Sequence, residues 1–329
     1  MTRREFLDAT LVLLAASSVR SGLAHATAKG GVSRRLLGST GVSVSCVGLG
    51  GAHIGLQKDE KDSVAIIRKA LDAGVDFLDN CWDYNDGKSE VRMGKALKEG
   101  YRAKAFLMTK IDGRNQKTAA KQIDECLQRL QTDHVDLLQL HEVIRADDPS
   151  RAFAAGGAIE AMVAAKKAGK ARFLGFTGHK SPDIHLAMLE TARQHGFRFD
   201  TVQMPLNVMD AHFQSFEQKV LPVALKEKMG VLGMKSMGDR FILESGVASA
   251  PELLRYSLSL PVSVLITGMD SPDRVDQAVS VARNFKPYTE AEIKALLERT
   301  RVKAKDGFYE KYKISTHFDG TTKNPEWLG

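Results

Sequence analysis

The chain has 329 residues, a formal charge of +7, 43% hydrophobic residues and 26% charged ones. This composition excludes a disordered chain and leaves room for one large α/β barrel or two smaller domains. The positive charge is spread along the sequence, with no basic run carrying interleaved aromatics, so nucleic acid is not an expected partner and small anionic ligands such as cofactor phosphates are.

Residues 1–28 read as an export signal rather than as fold. Thr2-Arg3-Arg4-Glu5-Phe6-Leu7 fits the twin-arginine pattern, an apolar run follows at 9–16, and Ala24-His25-Ala26 and Ala26-Thr27-Ala28 offer signal-peptidase sites. The run is too short for stable membrane insertion, which takes about 20 residues. The expected partner is therefore the twin-arginine export machinery and the expected compartment the periplasm. An unused signal would leave the protein in the cytoplasm. Cleavage after Ala26 removes Arg3, Arg4 and Arg20 against Glu5 and Asp8, so the basic character belongs to the mature chain. This route carries folded proteins, which suits a cofactor loaded before export. The cysteines, Cys46, Cys81 and Cys126, form neither a CxxC pair nor a disulfide framework.

From residue 29 to 329 the pattern is one domain. A small hairpin is expected at 34–37 and 42–45, turning at Gly38-Ser39-Thr40-Gly41. Strands are then expected at 46–50, 75–80, 105–110, 134–141, 171–177, 200–207, 230–235 and 263–268. Helices are expected at 61–73, 89–98, 117–131, 158–168, from 182 onward, 213–228, 251–260 and 272–283. Val64, Ile67 and Leu71 mark the inward face of the first helix, and Ile123, Leu127 and Leu130 that of the third. Ser181-Pro182-Asp183 and Ser271-Pro272-Asp273 each supply an N-cap followed by proline in the first turn. A long polar loop is expected around 146–149, one more helix at 290–302, and an irregular end at 315–329 that wraps over the barrel.

Eight strands, each followed by a helix and each a continuous apolar run, predict an α/β fold of the (β/α)8 TIM-barrel type. A doubly wound sheet would want G-x-G-x-x-G after its first strand, and Gly48-Leu49-Gly50-Gly51 does not supply it.

In such a barrel the strand C-termini build the active site. Asp79, Lys110 and His141 end the second, third and fourth strands, and Tyr84 lies on the loop after the second. A lysine ammonium beside a phenol favours the phenolate and lowers the tyrosine pKa. An aspartate keeps that lysine charged, and a neutral histidine can orient a substrate oxygen. The set suits protonation of an oxygen that turns negative as hydride arrives at its carbon.

At these residues the chain resembles the aldo-keto reductases. The resemblance runs from the hairpin Arg35-Leu36-Leu37-Gly38-Ser39-Thr40-Gly41 through Phe77-Leu78-Asp79…Tyr84, Gly87-Lys88-Ser89-Glu90 and Met93-Gly94-Lys95-Ala96-Leu97. It continues through Met108-Thr109-Lys110 to Val135-Asp136-Leu137-Leu138-Gln139-Leu140-His141. It implies that Tyr84 is the general acid/base, that Lys110 and Asp79 tune it, and that His141 polarises a carbonyl. It also implies that NAD(P)H lies across the C-terminal face. Thr177 would keep the hydroxyl that holds the carboxamide, with Gly178 where the family often has asparagine. Gln203 matches the carboxamide-binding glutamine. In Met234-Lys235-Ser236, Met234 replaces the aromatic that stacks on nicotinamide, and Lys235 follows it at the same face. Ile266-Thr267-Gly268…Arg274 resembles the adenosine-phosphate site. Arg274 there favours NADP(H) over NAD(H).

His53, Trp82 and Asn207, with Asp210 and His212, are read as substrate pocket, and they suit a sugar or other polyhydroxyl carbonyl. Two other readings compete with this one. A metal-dependent hydrolase using His53, His141 and His179 lacks H-x-H or paired-ligand spacing, so no metal is expected. A non-catalytic, nucleotide-binding redox sensor on the same fold is the alternative to an enzyme, and the complete four-residue set argues against it.

Overall fold

The computed structural model describes residues 31–329; the expected export signal lies outside them. Ten strands form. β1 (Arg34–Leu36) and β2 (Ser43–Ser45) make the antiparallel hairpin. The others close a parallel barrel: β3 (Val47–Gly50), β4 (Phe77–Asp79), β5 (Phe106–Ile111), β6 (Val135–Leu140), β7 (Ala171–Thr177), β8 (Thr201–Pro205), β9 (Gly230–Met234) and β10 (Val264–Gly268). They are hydrogen-bonded in chain order, and β10 closes against β3. The TIM-barrel expectation holds, hairpin included.

The strands close this way because both of their faces are apolar. One set of side chains, including Phe77, Phe106, Met108, Leu137, Leu232 and Ile266, fills the barrel interior. Leu37 and Val44 of the hairpin join that cluster and floor the barrel. The other faces pack against the helices, with Ile67, Ile123, Met162, Leu189, Leu253 and Val275 contributing from outside. Helix starts follow local chemistry. The side chains of Asp59, Asn115, Ser181 and Ser271 each accept a first-turn N–H, and Ser249 and Thr289 form capping boxes.

Several elements differ from the sequence reading, among them a short helix at Phe241–Glu244 that was not expected. The helix expected at 213–228 splits into Phe216–Lys219 and Leu221–Lys226, because Pro222 has no N–H for the ladder. The polar loop around 146–149 runs into a short helix, Asp148–Phe153, with Pro149 in its first turn. In the first helix, Glu60–Asp72, the buried face is Ser63, Ile66, Ile67, Ala70 and Leu71, with Val64 at its edge. Among the described residues no helix is long and apolar enough to cross a membrane.

The end of the chain does wrap over the barrel mouth. It carries short helices at Lys311–Ile314 and Gly320–Lys323 and a last turn at Pro325–Leu328. Glu142, just past β6, accepts the backbone N–H of Gly320 and Thr321, each at 2.8 Å. Asp319 meets His179 at 3.0 Å and Lys180 at 2.8 Å.

Candidate active site

Parallel register places the predicted set at one end of the barrel. Asp79 pairs with Met108 across β4 and β5, and Lys110 with Gln139 across β5 and β6. Asp79, Lys110 and His141 therefore come to adjacent positions at the C-terminal rim. Tyr84 reaches them from the turn after β4, where Asn85, Asp86 and Gly87 all take positive φ (56°, 56° and 81°) and swing the chain into the helix Lys88–Ala96.

Lys110 is the hub. It is 1% exposed. Its ammonium donates to the Asp79 carboxylate, to the Asn80 carbonyl at 2.8 Å and to the Tyr84 hydroxyl at 3.1 Å. Burial pulls the lysine pKa down, but the Asp79 charge and Tyr84 more than offset it, so Lys110 stays firmly cationic. The Tyr84 phenol moves the other way from expectation. Burial pushes its pKa well above the usual value, and Lys110 opposes that only in part. The resting tyrosine is thus a protonated donor, and the lysine acts on the phenolate that forms once the proton has left.

His141 stacks edge-on to Tyr84, with ring centroids 5.8 Å apart. Its Nδ1 lies 2.9 Å from Asp112 Oδ1, 3.2 Å from Cys81 Sγ and 3.5 Å from Asp83 Oδ1. Burial lowers the imidazole pKa, yet Asp83 and Asp112 outweigh it and the net direction is up. The two carboxylates draw the ring toward its protonated form, against the neutral imidazole expected from sequence. Nε2 is the nitrogen left for a substrate. Burial, reinforced by Asp112, pushes the Asp83 carboxyl up to about 6.

Behind His141 lies a buried arginine that sequence reasoning missed. Arg114 meets Asp148 at 2.8 Å and donates to the carbonyls of His141 and Glu142 at 2.8 and 2.9 Å. Asp112, two residues after Lys110, and Asp83, just before Tyr84, were also missed. Their nearness in sequence to predicted site residues was the one available signal.

The expected cofactor side is also at the rim. Thr177 and Gln203 are partners in the β7–β8 register, and Gln203 Nε2 donates to Asp79 at 3.2 Å. Thr177 Oγ1 and Gln203 Oε1 are buried without a partner. A hydroxyl and an amide carbonyl left free side by side fit a carboxamide, which needs one donor and one acceptor. Gly178 has no room for the family's asparagine: a Cβ there would stand 2.2 Å from the Val143 carbonyl and 2.8 Å from His185. Met234 ends β9, half-buried. Lys235 follows at φ 55°, with its ammonium 4.5 Å from the Phe318 ring centre and 5.2 Å from that of Tyr312. Gly268 ends β10, where a Cβ would meet the His53 ring at 2.7 Å. His53 therefore lies beside the expected adenosine side. Arg274 opens the exposed first turn of the helix Pro272–Arg283, its guanidinium 3.4 Å from Gln277.

Of the expected substrate pocket, Trp82 stands at the mouth. Its indole donates to Glu125 at 2.7 Å and meets Trp327 of the tail edge-on at 5.7 Å. Asn207 is corrected. It is fully buried, and its amide serves Tyr312, Glu310 and the Lys235 carbonyl while its oxygen accepts from Met209 and Asp210 N–H. Asp210 pairs with Lys313, His212 with Thr300 and His179 with Asp319. These polar groups anchor the tail rather than await a substrate.

A protonated phenol, a fixed ammonium and an imidazole edge meeting at the C-terminal face of a parallel barrel make a proton-transfer site of the kind an oxidoreductase needs. Comparison with known proteins agrees. The chain belongs to the aldo/keto reductase family, whose sequence profile matches residues 46–252. It is 28% identical over 311 residues to the L-galactose dehydrogenase of Arabidopsis thaliana, covering 80% of this chain and 94% of that one. It is 31% identical over 211 residues to the aldo-keto reductase YhdN of Bacillus subtilis, covering 60% and 59% of the two chains. Among solved structures, the holo form of aldo-keto reductase AKR11C1 from Bacillus halodurans superposes with a TM-score of 0.69. It is 22% identical and covers 82% of this chain and 96% of that one, a likeness of fold.

Proposed function

We propose that this chain moves a hydride between NADP(H) and the carbonyl or alcohol carbon of a polyhydroxylated substrate, a sugar or a sugar-like carbonyl. The observation that carries the reading is the Lys110 ammonium joining Asp79 to Tyr84 beside the uncommitted Thr177 Oγ1 and Gln203 Oε1. Family members take nicotinamide cofactors, and the nicotinamide supplies or accepts the hydride when bound. In reduction, Tyr84 holds its proton until the substrate oxygen turns negative and then gives it up. Lys110 stabilises the phenolate left behind, and Asp79 keeps Lys110 charged. His141 offers Nε2 to the same oxygen. Oxidation runs these steps backward. Thr177 and Gln203 would hold the carboxamide, Met234 would face the nicotinamide, and Arg274 would take the adenosine phosphate. Gly178, Lys235 and Gly268 line the same face. Trp82, with Trp327 beside it, offers an aromatic surface for the C–H face of a sugar, and the likeness to an L-galactose dehydrogenase supports that class.

The expected signal at residues 1–28 adds a compartment to the proposal: the enzyme is exported with its nucleotide bound. Protein recovered from the periplasm is denatured and its supernatant analysed. Stoichiometric NADP supports the reading. Protein that is empty and binds neither NADP(H) nor NAD(H) overturns it. Tyr84→Phe should lower kcat by about 10²–10⁴-fold while nucleotide affinity holds; an unchanged kcat removes Tyr84 from the chemistry.

A further inference from the structure

On the far side of His141 from the expected substrate, four side chains converge: Cys81, Asp83, Asp112 and His141. One ligand atom from each lies within 4.8 Å of all the others. Cys81 and Asp83 come from the turn after β4, and Asp112 and His141 stand just past β5 and β6, so three neighbouring barrel strands deliver them to one place. Cys81 and Asp112 are fully buried, while Asp83 and His141 keep side-chain exposures of 12% and 11% toward the mouth, which gives an ion a way in.

Hydrogen bonding within the group does not satisfy it. Asp83 Oδ1, 3.5 Å from His141 Nδ1, and Asp112 Oδ2 are buried and accept no hydrogen bond. The Lys110 ammonium is committed to Asp79, Asn80 and Tyr84. The Arg114 guanidinium is committed to Asp148 and to backbone carbonyls, among them the carbonyl of Asp112 but not its carboxylate. Two carboxylates and a thiol thus face one imidazole.

We propose that Cys81, Asp83, Asp112 and His141 bind one divalent transition-metal ion of the Zn²⁺ kind, at Nδ1 of His141. Tetrahedral zinc with ligand bonds of about 2.0–2.3 Å sets its ligand atoms about 3.3–3.6 Å apart. The His141 Nδ1 contacts, 2.9, 3.2 and 3.5 Å, fall within a few tenths of an ångström of that span, while the widest separation in the group, up to 4.8 Å, must close by about 1 Å. The mixture of one nitrogen, one sulfur and two oxygens selects Zn²⁺ or Co²⁺ over Mg²⁺ and Ca²⁺, which take oxygen ligands. The ion acts on chemistry through position. With Nδ1 coordinated, the ring carries its proton on Nε2 and presents a fixed donor to the pocket. Cys81, Asp83 and Asp112 are then positioning residues for His141.

The inference shares His141 with the proposed reductase, but its test needs neither cofactor nor substrate. The purified full chain is stripped with chelator and titrated with Co²⁺. We expect one equivalent to bind, with tetrahedral d–d bands and a thiolate-to-cobalt charge-transfer band. Cys81→Ala should abolish the charge-transfer band, Asp112→Asn should weaken binding at least about tenfold, and Cys126→Ser should change neither. Asp83→Asn, at the exposed edge, serves if a buried variant fails to fold by circular dichroism. No cobalt spectrum with excess metal, or a spectrum untouched by Cys81→Ala and by the aspartate variants, overturns the proposal. Carbonyl reduction by a chain that binds no metal refutes this inference and leaves the reductase standing. Metal binding without turnover does the reverse.

Discussion

Lys313→Met tests whether the tail is held by charge. The Lys313 ammonium lies 2.7 Å from Asp210 Oδ1, 2.7 Å from the Phe213 carbonyl and 3.1 Å from Glu310 Oε2, and the side chains of Lys313, Asp210 and Glu310 are 0% exposed. Methionine keeps most of the volume and removes the cation, leaving two buried carboxyls facing each other. Removing one partner of a buried pair costs about 3–5 kcal/mol. The loss should depend on pH. Burial, partly offset by Lys313, pushes the Glu310 carboxyl up to about 7, and burial also raises Asp210. A carboxyl with a raised folded pKa contributes stability that is present below its unfolded value and lost as pH rises through the folded one. The variant should therefore be weakest near pH 8 and recover toward pH 5.5 as Glu310 takes a proton. Adding Glu310→Gln to Lys313→Met should return about 1–3 kcal/mol at pH 8. Urea unfolding at the two pH values measures the loss, and amide exchange over residues 308–328 shows whether the tail opens before the barrel. A loss under about 1 kcal/mol at both pH values, with the tail still protected, would refute the argument.

The other predictions follow from buried groups that sit near the site. His185 is fully buried, with Nε2 3.3 Å from the Gln203 carbonyl, and burial holds its pKa at about 4. That depressed value means stability present above pH 6.5 and lost as pH falls toward 4, by roughly 3 kcal/mol from this group. His185→Gln should flatten the fall of Tm between pH 6.5 and 4, and an unchanged slope would clear His185 of the effect. Arg114→Lys should lose most of what the fork provides, because one ammonium cannot reach Asp148 and the carbonyls of Asp112, His141 and Glu142 together. We expect a lower Tm and a kcat that falls more than KM changes, since His141 is positioned through its own backbone; a lower Tm with intact kcat would confine Arg114 to stability.

The barrel was legible because its strands are continuous apolar runs and its helices carry their caps in sequence, as at Ser181 and Ser271. Asp79, Tyr84, Lys110 and His141 were legible because strand ends fall at one face whatever the register. What failed was non-local. Asn207, Asp210 and His212 look like mouth residues until the chain returns 88 to 105 residues later and Thr300, Glu310, Tyr312 and Lys313 take them up. Spacing cannot reveal such a return. The tyrosine pKa failed for a related reason: sequence shows the lysine that lowers it but not the burial that raises it more. Gly94 shows a residue legible as motif and not as physics. A Cβ there would sit 2.6 Å from the Arg129 carbonyl, so the glycine is required by the close packing of the helix Lys88–Ala96 on Gln116–Leu130.

The division between satisfied and unsatisfied polar groups marks where ligands belong. Around β6 to β9 the tail supplies the partners: Gly320 and Thr321 for Glu142, Asp319 for His179, Tyr312 for Asn207, Lys313 for Asp210. Beside the hub at Lys110 it supplies none, and Asp83 Oδ1, Asp112 Oδ2, Thr177 Oγ1 and Gln203 Oε1 remain buried without a hydrogen bond. Each such atom costs about 1–3 kcal/mol if left unmet. Four of them approach the whole stability of a typical domain, about 5–15 kcal/mol. A fold that spends its last 25 residues satisfying one side of its mouth has the means to satisfy the other. Asn85 Oδ1 and Gln139 Oε1 are open there as well, and the four named atoms fall into two pairs, Thr177 with Gln203 and Asp83 with Asp112. Thr177 and Gln203 have the donor and acceptor that a carboxamide requires, and Asp83 and Asp112 have the charge that a metal ion requires. Solvent can meet these atoms singly, but it does not explain why they gather at these two places.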